Sequence, residues 1–183
     1  MLHLKNSSKL NRKMAKNILR ESRRLASGMD LILRDCRISK KYVELDTSIS
    51  QSNLDELIAN LSPIGHLDHA KHVVEEIVEK EQAISEGISY FNNERFWECH
   101  EILEGVWKNC DGNEKFLVQG LILVAAGLVH YQKDEDGICI SIFNRALEKL
   151  ENSNGQYYDI DIDKIKQTIT EMITSKSVSS FQI

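Results

Sequence analysis

The chain contains little that breaks regular structure. Its 183 residues include one proline, and 42% of them are hydrophobic. This composition is typical of a folded globular protein and not of a disordered one. The length allows either one domain or two small ones.

Cysteine is scarce, and its spacing does not indicate a disulfide framework. The four cysteines form no CxxC pair and lack the spacing of a small secreted domain. We therefore expect reduced thiols that behave as small buried hydrophobic residues. These residues are Cys36, Cys99, Cys110 and Cys139.

No apolar run reaches the length of a membrane span. The longest, Phe116 to Val129, is interrupted by Gln119 and is shorter than the about 20 residues that cross a bilayer. No apolar signal core follows Met1. The sequence therefore predicts a soluble, cytoplasmic protein without a membrane partner.

Charge is divided unevenly along the chain. Residues 1–45 contain twelve Lys/Arg and four Asp/Glu, whereas residues 46–183 contain eleven and twenty-four. Most of the basic residues fall in one predicted helix. Their positive electrostatic potential would attract a nucleic acid or another anionic partner. The alternative is a solvated helix face, because no aromatic RNA-binding motif or zinc-finger spacing accompanies the charge. The candidate anion-binding residues are Lys13, Lys16, Arg20 and Arg24.

Residues 1–78 alternate between strand and helix patterns. The predicted order is βαββαβ, which is typical of a ferredoxin-like sandwich with two helices on an antiparallel sheet. The last element has two interpretations, either a strand over residues 66–75 or part of a helix over residues 70–86. The predicted elements cover residues 2–5, 9–27, 31–39, 41–49, 54–61 and 66–75.

His66, His69 and His72 suggest a metal site, but neither secondary structure supports it well. On a strand His69 points away from the other two, and on a helix the spacing drifts. No cysteine or carboxylate completes a ligand set, so the alternative is ordinary surface or core-edge histidines.

Residues 79–175 have helical periodicity throughout, and residues 176–183 are predicted to be a tail. The second helix of this all-α bundle has an apolar stripe of Phe96, Cys99, Leu103 and Val106, with imidazole, indole and carboxylate groups along its border. In the next helix, Gln119 and His130 share a face with Leu123 and Ala126 between them. The polar cluster comprises Glu98, His100, Glu101, Glu104, Trp107, Gln119 and His130.

Three segments in order carry a family resemblance: FNNERFWECHEILEGVW, FLVQGLILVAAGLVHYQ and ALEKL. Over about residues 80–152 the chain resembles the prokaryotic family called domain of unknown function 309. That family has a His-Glu-x-x-Glu-x-x-Trp helix and a Gln-Gly-Leu-Ile helix that ends in His, and its characteristic polar residues fall on the cluster named above. The resemblance implies an all-α bundle and no established activity. After His130 the chain departs from the family pattern, because QKDEDGICIS replaces a Gly-Asn and Arg-Gly-Ala segment.

Three functions compete for the cluster. The first is a binding or interaction module, in which a buried His/Glu/Trp network fixes helix register and contacts a partner. The second is a metal-dependent hydrolase with His100, Glu104 and His130 as ligands of a divalent transition metal and Glu101 as general base. The third is metal-free acid–base chemistry by His100 with Glu104, for which the sequence offers no nucleophile, because Cys99 lies on the apolar stripe.

Overall fold

A computed structural model describes residues 1–72 and 78–183. The chain forms two compact units, Met1–Val74 with Gln132–Asp134, and Glu75–Tyr131 with Glu135–Ile183. The first is an α+β unit and the second is a helical unit, so the predicted fold class is confirmed.

The α+β unit contains a four-stranded antiparallel sheet in the order β2-β3-β1-β4. Two helices connect strands that are not neighbours in the sheet, which gives the ferredoxin-like βαββαβ topology. The elements are β1 (Leu2–Lys5), α1 (Ala15–Leu25), β2 (Leu31–Ile38), β3 (Tyr42–Ile49), α2 (Leu54–Leu61) and β4 (Leu67–Ala70).

Alternation of apolar and polar residues determines the two faces of this sheet. Leu2 and Leu4 are buried in the core that also holds residues of α1 and α2, and in β3 they are opposite Leu45 and Val43. The residue between them, His3, is opposite Glu44. Because side chains alternate along a strand, this pair projects from the other face of the sheet.

The first helix begins later than predicted. The expected helix spans residues 9–27, but α1 starts at Ala15 after a 3-10 turn at Arg12–Met14. The side chain of Asn6 accepts a hydrogen bond from the Leu10 backbone N–H and donates one to the Leu10 carbonyl, both at 2.8 Å. These bonds hold the preceding segment in a loop and explain the late start.

The fourth strand is shorter than the predicted strand over residues 66–75. It ends at Ala70, and the terminal amine of Met1 donates to the Lys71 carbonyl at 2.7 Å. Residues 73–75 of the predicted strand lie outside the described residues. The next helix begins at Lys80, within the range proposed for the alternative helix.

The helical unit contains five helices among its described residues, and a short hairpin that the sequence did not predict. Asp161 caps the last helix by accepting a hydrogen bond of 2.9 Å from the Lys164 N–H. The elements are α3 (Lys80–Asn92), α4 (Phe96–Lys108), α5 (Gly112–Tyr131), α6 (Asp136–Leu150), β5 (Gln156–Tyr157), β6 (Ile160–Asp161) and α7 (Ile162–Ser175).

Helix α5 is the central helix of this unit. By length and composition it could cross a membrane, but core helices of soluble proteins pass the same test, and eight of its residues are buried in the unit's core. Two glycines allow α6 to approach closely. A Cβ atom on Gly120 would lie 2.5 Å from Leu150 Cγ, and one on Gly127 would lie 2.6 Å from Phe143 Cε1.

The predicted tail, residues 176–183, forms no helix or strand but packs against the helical unit. The Phe181 ring meets the Phe91 ring edge to face at 5.2 Å. The Asn92 side chain bonds both the N–H and the carbonyl of Ile183 at 3.0 Å. The last residues therefore contribute to the hydrophobic core.

Candidate functional site

Helix α4 separates a buried stripe from a polar flank. Its core residues are Phe96, Cys99, Leu103 and Val106, all buried. At 100° per residue, His100, Glu104 and Trp107 lie within about 60° of one another on the border of that stripe. The local sequence therefore places one imidazole, one carboxylate and one indole along one side of the helix.

The predicted burial of the cluster holds for Glu98 but not for three of its other members. The side chains of His100, Glu101 and Glu104 are 25%, 41% and 48% exposed. The His100 Nδ1 atom lies 3.2 Å from Glu101 Oε1, and its Nε2 atom lies 3.6 Å from Glu104 Oε1. The apolar stripe alone fills the core side of α4, so the carboxylates retain contact with water.

Helix α5 carries a matching stripe. Eight of its 20 residues are buried, and one set of partly exposed residues at intervals of three or four falls within about 80° of arc. The face predicted to hold Gln119 and His130 with Leu123 and Ala126 between them is part of this set. The members are Lys115, Gln119, Leu123, Ala126 and His130.

One contact brings the two stripes together. The Lys115 ammonium lies 4.7 Å from the centre of a Trp107 ring, a distance at which a cation is attracted to an aromatic face. Trp107 Nε1 is buried and has no hydrogen-bond partner among the described residues. We call the combined flank of His100, Glu104, Trp107, Gln119 and His130 the α4–α5 surface.

The structure does not bring the predicted metal ligands together. His130 Nδ1 lies 2.7 Å from Glu135 Oε2, whereas His100 contacts Glu101 and Glu104. Among residues 1–72 and 78–183, ligand atoms of His100, Glu104 and His130 do not form a set within 4.8 Å of one another. The metal site stays a prediction, and an ion would require these side chains to move.

Glu98 has a different environment from the other carboxylates of α4. It is 3% exposed, and Arg95 donates to it through Nε at 2.6 Å and through a second guanidinium nitrogen. Arg95 also lies over the Tyr90 ring at 4.6 Å. Glu98 therefore belongs to an internal ion pair at the start of α4 and does not line the α4–α5 surface.

The cysteines offer no activated nucleophile. All four are buried and have free thiols. Burial raises the pKa of the Cys36 and Cys99 thiols to about 12. A thiol with such a pKa is protonated near neutral pH, in agreement with a packing role.

The candidate anion-binding residues of α1 fall into two groups. The side chains of Lys13, Lys16 and Arg20 are exposed and make no hydrogen bond or ion pair within the described part of the chain. Arg24 is bound by Glu21 through two hydrogen bonds of 2.6 and 2.8 Å. The exposed cationic surface is therefore smaller than the sequence suggests.

A buried polar cluster in the α+β unit was missed from the sequence. His3 Nε2 lies 3.7 Å from Glu44 Oε1, and Arg37 Nε donates to Glu44 Oε2 at 3.2 Å. The His3 ring also stacks on His69 at 4.1 Å, while His66 and His72 are exposed. The pairing register of β1 and β3 could have indicated this contact, because it makes His3 and Glu44 cross-strand neighbours.

A second missed cluster lies in the helical unit. Glu114 Oε1 lies 2.5 Å from the Lys80 ammonium and accepts a hydrogen bond of 2.9 Å from the Tyr157 hydroxyl. The hydrogen bond from Lys80, followed by that from Tyr157, lowers the pKa of Glu114, although burial opposes this shift. These contacts join α3, α5 and the β5–β6 hairpin.

The family match of this chain lies within the helical unit. No curated protein matches this chain. A conserved hypothetical protein from Thermus thermophilus, solved as a crystal structure, is 24% identical with a TM-score of 0.43, and the match covers 54% of this chain and 99% of that one. Residues 84–141 match the family model described as domain of unknown function 309, which confirms the resemblance predicted for this segment from the motifs of α4 and α5.

Proposed function

We propose that the helical unit is a binding module and that the α4–α5 surface receives its partner. The observation that supports this most directly is the Lys115–Trp107 contact, which joins the partly exposed stripes of α4 and α5. A helix that served only the core would not need imidazole, indole and amide groups at this spacing.

The chemistry of the surface favours a cationic partner group. Glu101 and Glu104 are both exposed beside His100. The indole of Trp107 already attracts one ammonium group, that of Lys115. A lysine or arginine side chain from a basic protein segment would meet the Glu104 carboxylate and, by displacing Lys115, the Trp107 ring on the same flank. We therefore propose a basic peptide segment as the partner.

Tryptophan fluorescence tests this proposal. Because the chain has two tryptophans, Trp97→Phe leaves Trp107 as the single reporter. Titration with a lysine-rich peptide should give a saturable change in Trp107 emission. In the same background, Glu104→Gln should weaken binding, because it removes a charge next to the indole.

The matched control is Glu151→Gln, which removes an equally exposed carboxylate at the end of α6. It should leave the peptide affinity unchanged. Equal weakening by both substitutions would indicate nonspecific attraction to an acidic protein, and the absence of any saturable change would contradict the proposal.

A metal-dependent hydrolase is the second candidate function. The i,i+4 approach of His100 Nε2 to Glu104 Oε1 favours it, because this spacing presents two ligands from one helix flank. In that mechanism a divalent transition metal would lower the pKa of a bound water, and Glu101 would accept its proton. His130 would complete the set only after release from Glu135.

We also propose that the chain divides into a ferredoxin-like domain at residues 1–78, a helical domain at residues 79–175 and a C-terminal segment at residues 176–183.

We further propose that the protein acts in the cytoplasm. The four free, buried thiols support this location, because reducing compartments keep such cysteines unpaired.

A further inference from the structure

The basic side chains of α1 have unequal access to a partner. Arg23 donates from Nε and from a terminal nitrogen to the Leu33 carbonyl at 3.0 and 2.7 Å, so its guanidinium is used on the edge strand β2. Arg24 is neutralised by Glu21. Arg12 lies 3.1 Å from Asp134 within the same unit. Arg12, Arg23 and Arg24 therefore already have partners within the protein.

Three cations remain available. The side chains of Lys13, Lys16 and Arg20 are exposed, and no hydrogen bond or ion pair within the described ranges occupies them. Their spacing of three and then four residues places them on one side of the helix. Lys13 lies in the 3-10 turn just before α1, and Lys16 and Arg20 follow in α1 at an interval of about 6 Å along the axis.

This spacing suits a row of phosphates. Neighbouring phosphate groups of one nucleic-acid strand lie a few ångströms apart, and each can meet one lysine or arginine. The stripe also begins beside the N-terminal end of α1, where the helix dipole adds positive potential. The acidic residue within the helix, Glu21, is already bound by Arg24.

The neighbouring residues favour a nucleic acid over a protein. Protein interfaces depend on buried aromatic or aliphatic anchors, and none of the large exposed hydrophobic residues of the described chain lies on α1. Single-stranded nucleic acids require aromatic side chains that stack on bases, and α1 contains none. A double helix requires only backbone contacts.

We propose that Lys13, Lys16 and Arg20 form a contact surface for the phosphodiester backbone of a double-stranded nucleic acid. The contact is independent of base sequence, because the stripe presents charges and no group that reads base edges. It is independent of the α4–α5 surface, and its failure would leave the peptide-binding proposal intact.

Fluorescence anisotropy of a labelled DNA duplex, measured between about 50 and 200 mM salt, tests this surface. Three phosphate contacts should give a slope of about −2.7 in a plot of log affinity against log salt concentration. The triple variant Lys13→Gln, Lys16→Gln and Arg20→Gln should bring the slope close to zero, because each lost contact removes about one unit. Glutamine keeps the helix propensity of the residues it replaces.

The matched control replaces two lysines and one arginine that are exposed in the helical unit. The variant Arg145→Gln, Lys164→Gln and Lys176→Gln has the same change in net charge and should retain the wild-type slope and affinity. Thermal unfolding of both variants shows that the fold is intact.

Three results would overturn the proposal. They are an equal loss in the control variant, no duplex binding by the wild type at about 50 mM salt, and tighter binding of a single strand or of polyglutamate than of the duplex. An RNA duplex that gives the same slope as the DNA duplex would support recognition of the shared backbone.

Discussion

The hydroxyl of Tyr157 donates a hydrogen bond of 2.9 Å to Glu114, and the Lys80 ammonium reaches the same carboxylate oxygen at 2.5 Å. Glu114 therefore connects the start of α5 with α3 and with the β5–β6 hairpin. We expect Glu114→Gln to lower the free energy of unfolding at neutral pH by about 1–2 kcal/mol, since it weakens two hydrogen bonds in a partly exposed position.

This contribution should depend on pH in one direction. The pKa of Glu114 in the folded protein is below its ordinary value of 4.5. The charged carboxylate therefore stabilises the fold above pH 4.5, and this stabilisation is lost as the pH falls through the lower folded pKa. Urea unfolding of wild type and Glu114→Gln at several pH values should show a difference that shrinks below about pH 4.5. A difference that grows on acidification would contradict this linkage.

Close packing of α5 against α6 makes a second prediction. A Cβ atom at Gly127 would lie 2.6 Å from Cε1 of the fully buried Phe143 ring. Gly127→Ala should therefore lower the free energy of unfolding by about 1–3 kcal/mol through overpacking. The control is Gly105→Ala in α4, where a Cβ meets no atom within 4 Å. It should stabilise the protein by up to about 1 kcal/mol, because alanine has the higher helix propensity. Two destabilised variants would contradict this interpretation of the α5–α6 contact.

Local periodicity explains how much of the fold could be predicted. The predicted bounds of β1 and α2 agree with the structure at both ends. The late start of α1 depends on Asn6 hydrogen bonds, and the β5–β6 hairpin has strands of two residues, too short to show a period. Sequence analysis therefore misplaced a helix start that depends on side-chain bonds and missed an element that is too short for periodicity.

Helical spacing also predicted which residues share a flank in the candidate site, but it did not predict their exposure. The α5 stripe that contains Gln119 and His130 follows from a spacing of eleven residues. The apolar stripe indicates which side of α4 packs, but Glu98 lies off that stripe and is nevertheless buried beside Arg95, which the spacing does not indicate. The Tyr157–Glu114 contact joins residues 43 positions apart, so no local pattern could indicate it.

The ion pair of Arg95 and Glu98 provides a third prediction. Glu98 is buried, and truncation of Arg95 would remove the cation that neutralises its carboxylate. Arg95→Ala should therefore destabilise the protein by about 3 kcal/mol. The double variant Arg95→Met and Glu98→Leu should recover part of this loss, because it removes both charges of this pair. Denaturant unfolding measures both values, and a double variant less stable than Arg95→Ala would contradict the argument.

Elemental analysis of protein purified without a metal-binding tag and without chelators separates the two functions proposed for the α4–α5 surface. We expect no stoichiometric transition metal in the wild type, because His130 is held by Glu135 and its ligand atoms do not gather with those of His100 and Glu104. His100→Ala should then cost less than about 1 kcal/mol of stability, since the imidazole is partly exposed. A stoichiometric metal that is lost in His100→Ala, with helicity retained in circular dichroism, would instead favour the hydrolase and would require His130 to turn away from Glu135.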